Sequence, residues 1–294
     1  MTNKKITIGI PTFNEEKNIL KFFGSLQKQN LKSNIIEKII FVDDSEDNTP
    51  VIINKLKLDY PGLNIELFHN TERKGASYAW NTIFKNSIGE IVILLDADIE
   101  LEKNCIYNLT DKINDKTGLC ASNTLPIIAK NNLFSKASAF IAYWLRSIRL
   151  KGLSQYTTMG RALALNSNDV KDLEIPKDII AIDLYLQCKI LEKNKDIVYN
   201  DKAIIYFKTP LNLSDFMSQI TRSIIGHRQI KAYTKEFSFD LPTTVLIKEF
   251  IKNSFNYPSY SLALICCYSL LPFSYLRNRN KISSLWEMAK STKQ

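Results

Sequence analysis

The sequence predicts an α/β protein with a Rossmann-like mixed sheet flanked by helices and a helical C-terminal extension. Three observations carry this prediction. Strand and helix patterns alternate through the first 115 or so residues. The strand segments include unbroken apolar runs, such as "IVILL" at 91–95, which suit strands covered on both faces. Three of the strands end in polar clusters, where open α/β sheets place their ligands.

The elements follow in order. "KKITIGI" is a strand, and "NEEKNILKFFGSLQKQ" is an amphipathic helix with Ile19, Phe22, Phe23 and Leu26 as its apolar stripe. Asn14 is placed to cap that helix, and Glu15 and Glu16 suit its positive end. "IEKIIFV" is the second strand and runs into Asp43-Asp44. A helix near 48–58, the strand "LNIELFH", the helix "RKGASYAWNTIFKNS" and the strand "EIVILL" complete a right-handed parallel βαβ series. Beyond residue 115, "GLCASNTLPII", "RALALN" and "DIVYNDKAIIYF" read as strands. "LFSKASAFIAYWLRSIRLKG", "IDLYLQCKILEKN" and "NLSDFMSQITRSIIGHRQIKAY" read as helices, and the tail from about 242 is helical and apolar.

Bulk properties narrow the partners. The chain has 294 residues, 45% hydrophobic and 23% charged, enough for a substantial core. Net charge +9 and a pI near 9.1 favour acidic partners such as nucleotide phosphates or anionic lipid. No basic stripe with interleaved aromatics is present, so nucleic acid is not the expected partner. Five cysteines without a C-x-x-C or Cys/His cluster read as free thiols and offer no zinc site. "MTNKKITIGI" enters a strand directly, so no signal peptide is expected and the protein is placed in the cytoplasm. "SYSLALICCYSLLPFSYL" (259–276) carries no charge and is flanked by Lys252 and by Arg277, Arg279 and Lys281. Its length, Pro272 and its serines favour a buried or interfacial helix over a span. Tyr143 and Trp144 beside Arg146, Arg149 and Lys151 suit an anionic-lipid interface at the cytoplasmic face of the membrane. Packing on the core or across a homo-oligomer interface is the equal alternative for both stretches.

The polar strand ends are Pro11-Thr12-Phe13-Asn14-Glu15, Asp43-Asp44-Ser45 and Asp96-Ala97-Asp98. Two carboxylates after a buried strand suit a hard divalent cation, Mn²⁺ or Mg²⁺, shared with phosphates. The competing reading makes Asp96 a turn residue and Asp98 a helix cap. One crevice holding all three clusters favours the first. "RKGA" at 73–76 adds a basic, glycine-containing loop at a helix start.

At this point "ITIGIPTFNEEKNI", "FVDDSEDNT", "RKGASYAWN" and "ILLDADIE" resemble the successive motifs of family 2 glycosyltransferases with the GT-A fold. "GRALALN", "IDLYL" and "QITRS" resemble the later acceptor-segment, E-D-x-x-L and Q-x-x-R-W motifs, so the resemblance covers about residues 5–230. It implies a GT-A type nucleotide-diphospho-sugar transferase domain over 1–235, with a nucleotide-sugar half (1–115) and an acceptor half (116–235), and an extension over 236–294. It further implies that Asp98, with Asp96, holds the metal and diphosphate. Pro11, Thr12, Asn14, Glu15, Asp43, Asp44, Lys74 and Gly75 then meet the nucleotide-sugar donor. Asp183 is implied as general base, with Gln219 and Arg222 near acceptor and diphosphate. Ile182 stands where the family often has Glu, which leaves Asp183 as the base candidate, and Ser223 stands where it often has Trp, a loss that counts against processive polymer synthesis. The expected activity is inverting, non-processive sugar transfer, most readily from a UDP-sugar, to a glycan or lipid-linked hydroxyl. A polyprenyl-phosphate sugar transferase, and a non-catalytic protein that binds a sugar nucleotide or a nucleic acid, are the alternatives.

Overall fold

The computed structural model describes residues 3–154, 160–234, 242–272 and 290–293. Four strands pair in parallel in the first half of the chain, β1 (Lys5–Thr12), β2 (Ile35–Asp43), β3 (Ile65–His69) and β4 (Ile91–Leu95). The helices α1 (Ile19–Gln27), α2 (Thr49–Asp59) and α3 (Ala76–Asn86) connect them, as the alternation predicts. After β4 come a short β5 (Ile99–Leu101), α4 (Cys105–Asp111), β6 (Thr117–Ile127) and α5 (Leu133–Arg149). β7 (Ala162–Asn166), α6 (Ser167–Val170), α7 (Ile182–Glu192) and β8 (Asp196–Lys208) follow. The helices α8 (Leu213–Thr234), α9 (Thr243–Asn256) and α10 (Pro258–Ser269) succeed them, and a 3₁₀ turn covers Lys290–Lys293.

All eight strands form one mixed sheet in the order β3-β2-β1-β4-β7-β6-β8-β5. β7 runs antiparallel to both its neighbours, and β5 is antiparallel to β8. The apolar runs behave as continuous burial requires. Ile91, Ile93 and Leu95 face one side with α1, α2 and α4, while Val92 and Leu94 face the other with α3 and α7. Each fully buried Ile or Phe in these layers contributes roughly 1.5–3 kcal/mol. A third apolar cluster joins α5, α8 and α10 through Phe140, Phe216, Met217 and Leu264.

The sequence does not anticipate β5, and β5 bends the whole sheet. β4 and β5 lie four strand spacings apart in the sheet order, about 19 Å if the sheet were flat. Only Asp96, Ala97 and Asp98 join them, a reach of about 14 Å. The sheet must therefore curl, which sets the D-x-D tripeptide in a concave corner. Register breaks between Ser122 and Asn123 on β6, opposite β8, mark where the long strands bend.

The first helix starts later than predicted, at Ile19, and Asn14 is not its cap. Asn14 takes φ 54° and turns toward the β2–α2 loop. There its backbone N–H donates to Ser45 Oγ (2.7 Å), and its Oδ1 accepts from the Glu46 N–H (2.9 Å). These bonds tie Asn14 sideways to that loop, and the first helical bond runs from the Ile19 N–H back to the Glu15 carbonyl (2.9 Å).

Candidate active site

The carboxyl edge of the sheet carries two groups of polar side chains. The first is built by strand register. Thr12 pairs with Asp43, and Asp43 with His69, so the ends of β1, β2 and β3 lie level. Asp43 is fully buried and satisfied from three sides. It accepts from Thr12 Oγ1 (2.6 Å) and Ser45 Oγ (2.5 Å), and it meets His69 Nδ1 at 2.8 Å. Its oxygens therefore hold the strand ends together. His69, which the sequence leaves without a partner, is the clamp on the third strand.

Asp44 reaches across to the head of α3. Its Oδ2 accepts from the backbone N–H of Lys74 (2.9 Å) and of Gly75 (2.7 Å), and its Oδ1 from Asn70 Nδ2 (2.9 Å). Gly75 sits at φ 84°, a conformation that favours glycine, and it opens the helix without a side-chain cap of its own. Asp44 supplies that cap from another strand. Lys74 itself is exposed, with its ammonium 4.4 Å from the Tyr78 ring centre.

The Pro11-to-Glu15 loop is held from below by the chain's last described residues. Glu15 is buried and forms an ion pair with Lys293, whose ammonium also donates to the Phe13 carbonyl (3.1 Å). Glu15 Oε2 accepts from Asn18 Nδ2 (2.8 Å), and Lys208 Nζ donates to Asn18 Oδ1 (2.9 Å). Ser291 bonds through both its N–H and its hydroxyl to Asp215 at the start of α8. Neither Lys293 nor Lys208 is recognisable from local motifs, because both act across more than 180 residues of sequence.

The second group gathers at the corner between β4 and β5. The β1–β4 register pairs Gly9 with Leu94, so Asp96 falls beside the level of Pro11. β7 runs back along β4, pairing Ala162 with Leu95, which delivers Arg161 to the D-x-D tripeptide. The Asp96 N–H donates to the Arg161 carbonyl (2.9 Å). Arg161 Nη1 lies 3.6 Å from Asp96 Oδ2 and 3.4 Å from Asp98 Oδ1, with its guanidinium 4.5 Å from the Phe207 ring centre. Arg161 is the site residue that sequence reasoning misses. Its signal, the arginine following Gly160 in "GRALALN", gains meaning only once β7 is known to be antiparallel.

Asp183 lies in the first turn of α7 and closes on the same place. Its Oδ2 accepts from the Gly160 N–H (3.1 Å), and its Oδ1 from the Leu184 N–H (3.0 Å). A Cβ on residue 160 would sit 3.0 Å from Asp183 Cβ, so the glycine permits this approach. Arg222 feels Asp183 and Asp96 from α8, and burial pulls its pKa down against their attraction. Gln219, three residues earlier, shares that face of the helix. Burial, then the Asp98 carboxylate, push Asp96 up to about 7, opposed by Arg161 and Arg222. Buried Arg149, at the end of α5, also feels Asp183, and burial pulls it down to about 10.

This corner fits a hard divalent cation. Two carboxylates converge on a single arginine nitrogen, and negative charge still exceeds what that arginine offsets at Asp96. Two protein oxygens are what a Mg²⁺ or Mn²⁺ ion takes when phosphate oxygens complete its shell. Among the described residues no group of three His, Cys, Asp or Glu side chains could hold a metal, so a ligand would supply the remaining oxygens.

The fold is that of the GT-A sugar-nucleotide transferases. A mannosyltransferase from Pyrobaculum calidifontis, solved in complex with GDP-Man and Mn²⁺, matches with a TM-score of 0.63 at 19% identity. That match covers 95% of this chain and 80% of the other. Residues 1–349 of Staphylococcus aureus TarS with UDP match with a TM-score of 0.52 at 18% identity, over 95% and 92% of the two chains. The family model for glycosyl transferase family 2 matches residues 7–167, more than half of the sequence, and the chain belongs to that family. A dolichol-phosphate mannosyltransferase from Pyrococcus furiosus is 29% identical over 111 residues, 38% of this chain and 30% of that protein. The chain thus spans under a third of that relative's length.

Proposed function

We propose that the protein transfers a sugar from a nucleotide-diphosphate sugar to an acceptor hydroxyl, with inversion and one transfer per encounter. The observation that carries this reading is the convergence of Asp96, Asp98, Arg161, Asp183 and Arg222 at one corner of the curled sheet. The mannosyltransferase solved with GDP-Man and Mn²⁺ and the TarS chain solved with UDP support a nucleotide donor. A UDP-sugar is the expected one.

Each residue then has a task. Asp98 and Asp96 hold a divalent cation, which supplies charge stabilisation to the donor's diphosphate. Pro11, Thr12, Asn14, Glu15, Asp43 and Asp44 frame the nucleoside, some through the backbone they fix, while Lys74 and Gly75 flank the diphosphate. Asp183 takes the proton of the attacking hydroxyl. Arg222, with Gln219 beside it, stabilises the negative charge growing on the leaving diphosphate. A base on the side opposite the leaving group gives in-line attack and inverts the anomeric carbon.

A phosphate acceptor is the second reading, favoured by the similarity to a dolichol-phosphate mannosyltransferase and by the arginines near Asp183. An ionised phosphate needs no base, so Asp183→Asn separates the two. Release of nucleoside diphosphate and transfer to hydroxyl or polyprenyl-phosphate acceptors would be assayed with Mn²⁺ or chelator. The hydroxyl reading expects a rate loss of roughly 10²–10⁴-fold in Asp183→Asn. Near-wild-type transfer to a polyprenyl phosphate would replace it.

A further inference from the structure

The helix α9 is built inside out. It buries Glu249, only 2% exposed, and Asn253 against α5. There Asn253 Nδ2 donates to Ser147 Oγ (3.0 Å), and Glu249 meets Lys151 at 3.9 Å. It turns Ile247, Ile251 and Phe255 outward, one above another at four-residue spacing, with Phe255 84% exposed. The next helix packs against α9 and also exposes Leu262, at 62%, and Ile265. Exposed apolar side chains stacked in this way mark an interaction surface.

Charge indicates what covers it. The exposed charges of α9 are Lys248 and Lys252, α10 has none, and the only carboxylate in either helix is the buried Glu249. An anionic bilayer surface complements an apolar row with lysines along its flank. A second copy of the chain fits less well. A two-fold contact through this face would bring both pairs of lysines together without an exposed carboxylate to offset them. The twelve residues of α10 extend about 18 Å, short of a bilayer core. No described helix is long and apolar enough to cross a membrane.

We propose that the outer face of α9 and α10 docks on an anionic lipid bilayer, with both helices lying along the surface. Leu262 and Ile265 belong to the 259–276 stretch that the sequence singles out, whereas the basic and aromatic residues it names on α5 are not part of this surface. Trp144 is packed on Phe250 and donates to the Leu246 carbonyl (3.1 Å), and Arg149 is buried, so the aromatic and basic side chains of α5 serve the interior. The lipid-facing surface lies one layer further out. The helix α5 links it to the site, since it packs against both helices and ends with Arg149 in the field of Asp183. The inference stands on side chains outside the donor crevice.

The test is sedimentation of the full chain with vesicles of phosphatidylcholine alone or mixed with phosphatidylglycerol. The chain pellets with the mixed vesicles, binds neutral ones roughly tenfold more weakly, and is partly released by salt. The double variant Ile251→Asp/Phe255→Asp lowers binding by roughly a hundredfold or more. Its melting temperature and its donor-induced thermal shift stay those of wild type, because both side chains are exposed and remote from the D-x-D corner. Failure of wild type to pellet with either vesicle overturns the inference. So do undiminished binding by the double variant, equal binding to both vesicles, and a solution dimer that the double variant dissolves.

Discussion

Burial and the neighbouring Asp98 raise the Asp96 carboxyl from its ordinary 3.8 to about 7, against the pull of Arg161 and Arg222. Between those two values the folded chain holds a proton that the unfolded chain has lost. Stability from this group is therefore present at low pH and falls as pH rises through the window. The expected outcome is a melting temperature that declines more steeply from about pH 4 to 7 in wild type than in Asp96→Asn. Added Mn²⁺ should offset the decline in wild type and release a proton on binding, measurable as a buffer-dependent binding enthalpy. Asp96 and Asp98 were legible in the sequence because two carboxylates after a buried apolar run demand a reason. Arg161 was not, since its partners are set by an antiparallel pairing that no local pattern encodes. Asp43 was legible as a site residue, but its bonds to Thr12, Ser45 and His69 depend on the level ends of three strands.

Among the elements, the βα alternation of the first half could be read directly, because each strand is a short apolar run and most helices carry an apolar stripe. Besides the short helices α4 and α6, two features escaped for physical reasons. Three-residue β5 is too short to show a period, and it exists because β8 offers it an edge. The start of α1 moved to Ile19 because side-chain bonds from the β2–α2 loop outweigh the local capping signal at Asn14. The turn at Lys290–Lys293 is an element whose effect is measurable. Lys293 braces the Pro11-to-Glu15 loop through Glu15 and the Phe13 carbonyl. Lys293→Met should raise KM for the donor roughly tenfold, the scale of one lost charge-assisted hydrogen bond. It should leave kcat within about twofold, because the brace serves ground-state and transition-state binding alike. Steady-state kinetics at saturating acceptor would check this, and an equal loss in kcat would mean that the brace shapes the reacting geometry.

At the scale of the molecule, one covalent constraint organises the site. Three residues must bridge two strands that a flat sheet would set too far apart, so the sheet curls and its corner becomes the place where acids and arginines meet. The sequence shows the acids and the strands, and the structure adds the curl. The most direct test of the central claim, a donor site formed at that corner with a divalent cation, is thermal unfolding against UDP- and GDP-sugars with and without Mn²⁺. Asp98→Ala would run in parallel. The account predicts a rise in melting temperature that needs both nucleotide sugar and Mn²⁺, about 2.7 kcal/mol of added stability at a hundredfold excess over Kd. The mutant, folded and otherwise as stable, should lose that rise. An unchanged melting temperature with every donor, or an equal rise in Asp98→Ala, would contradict it.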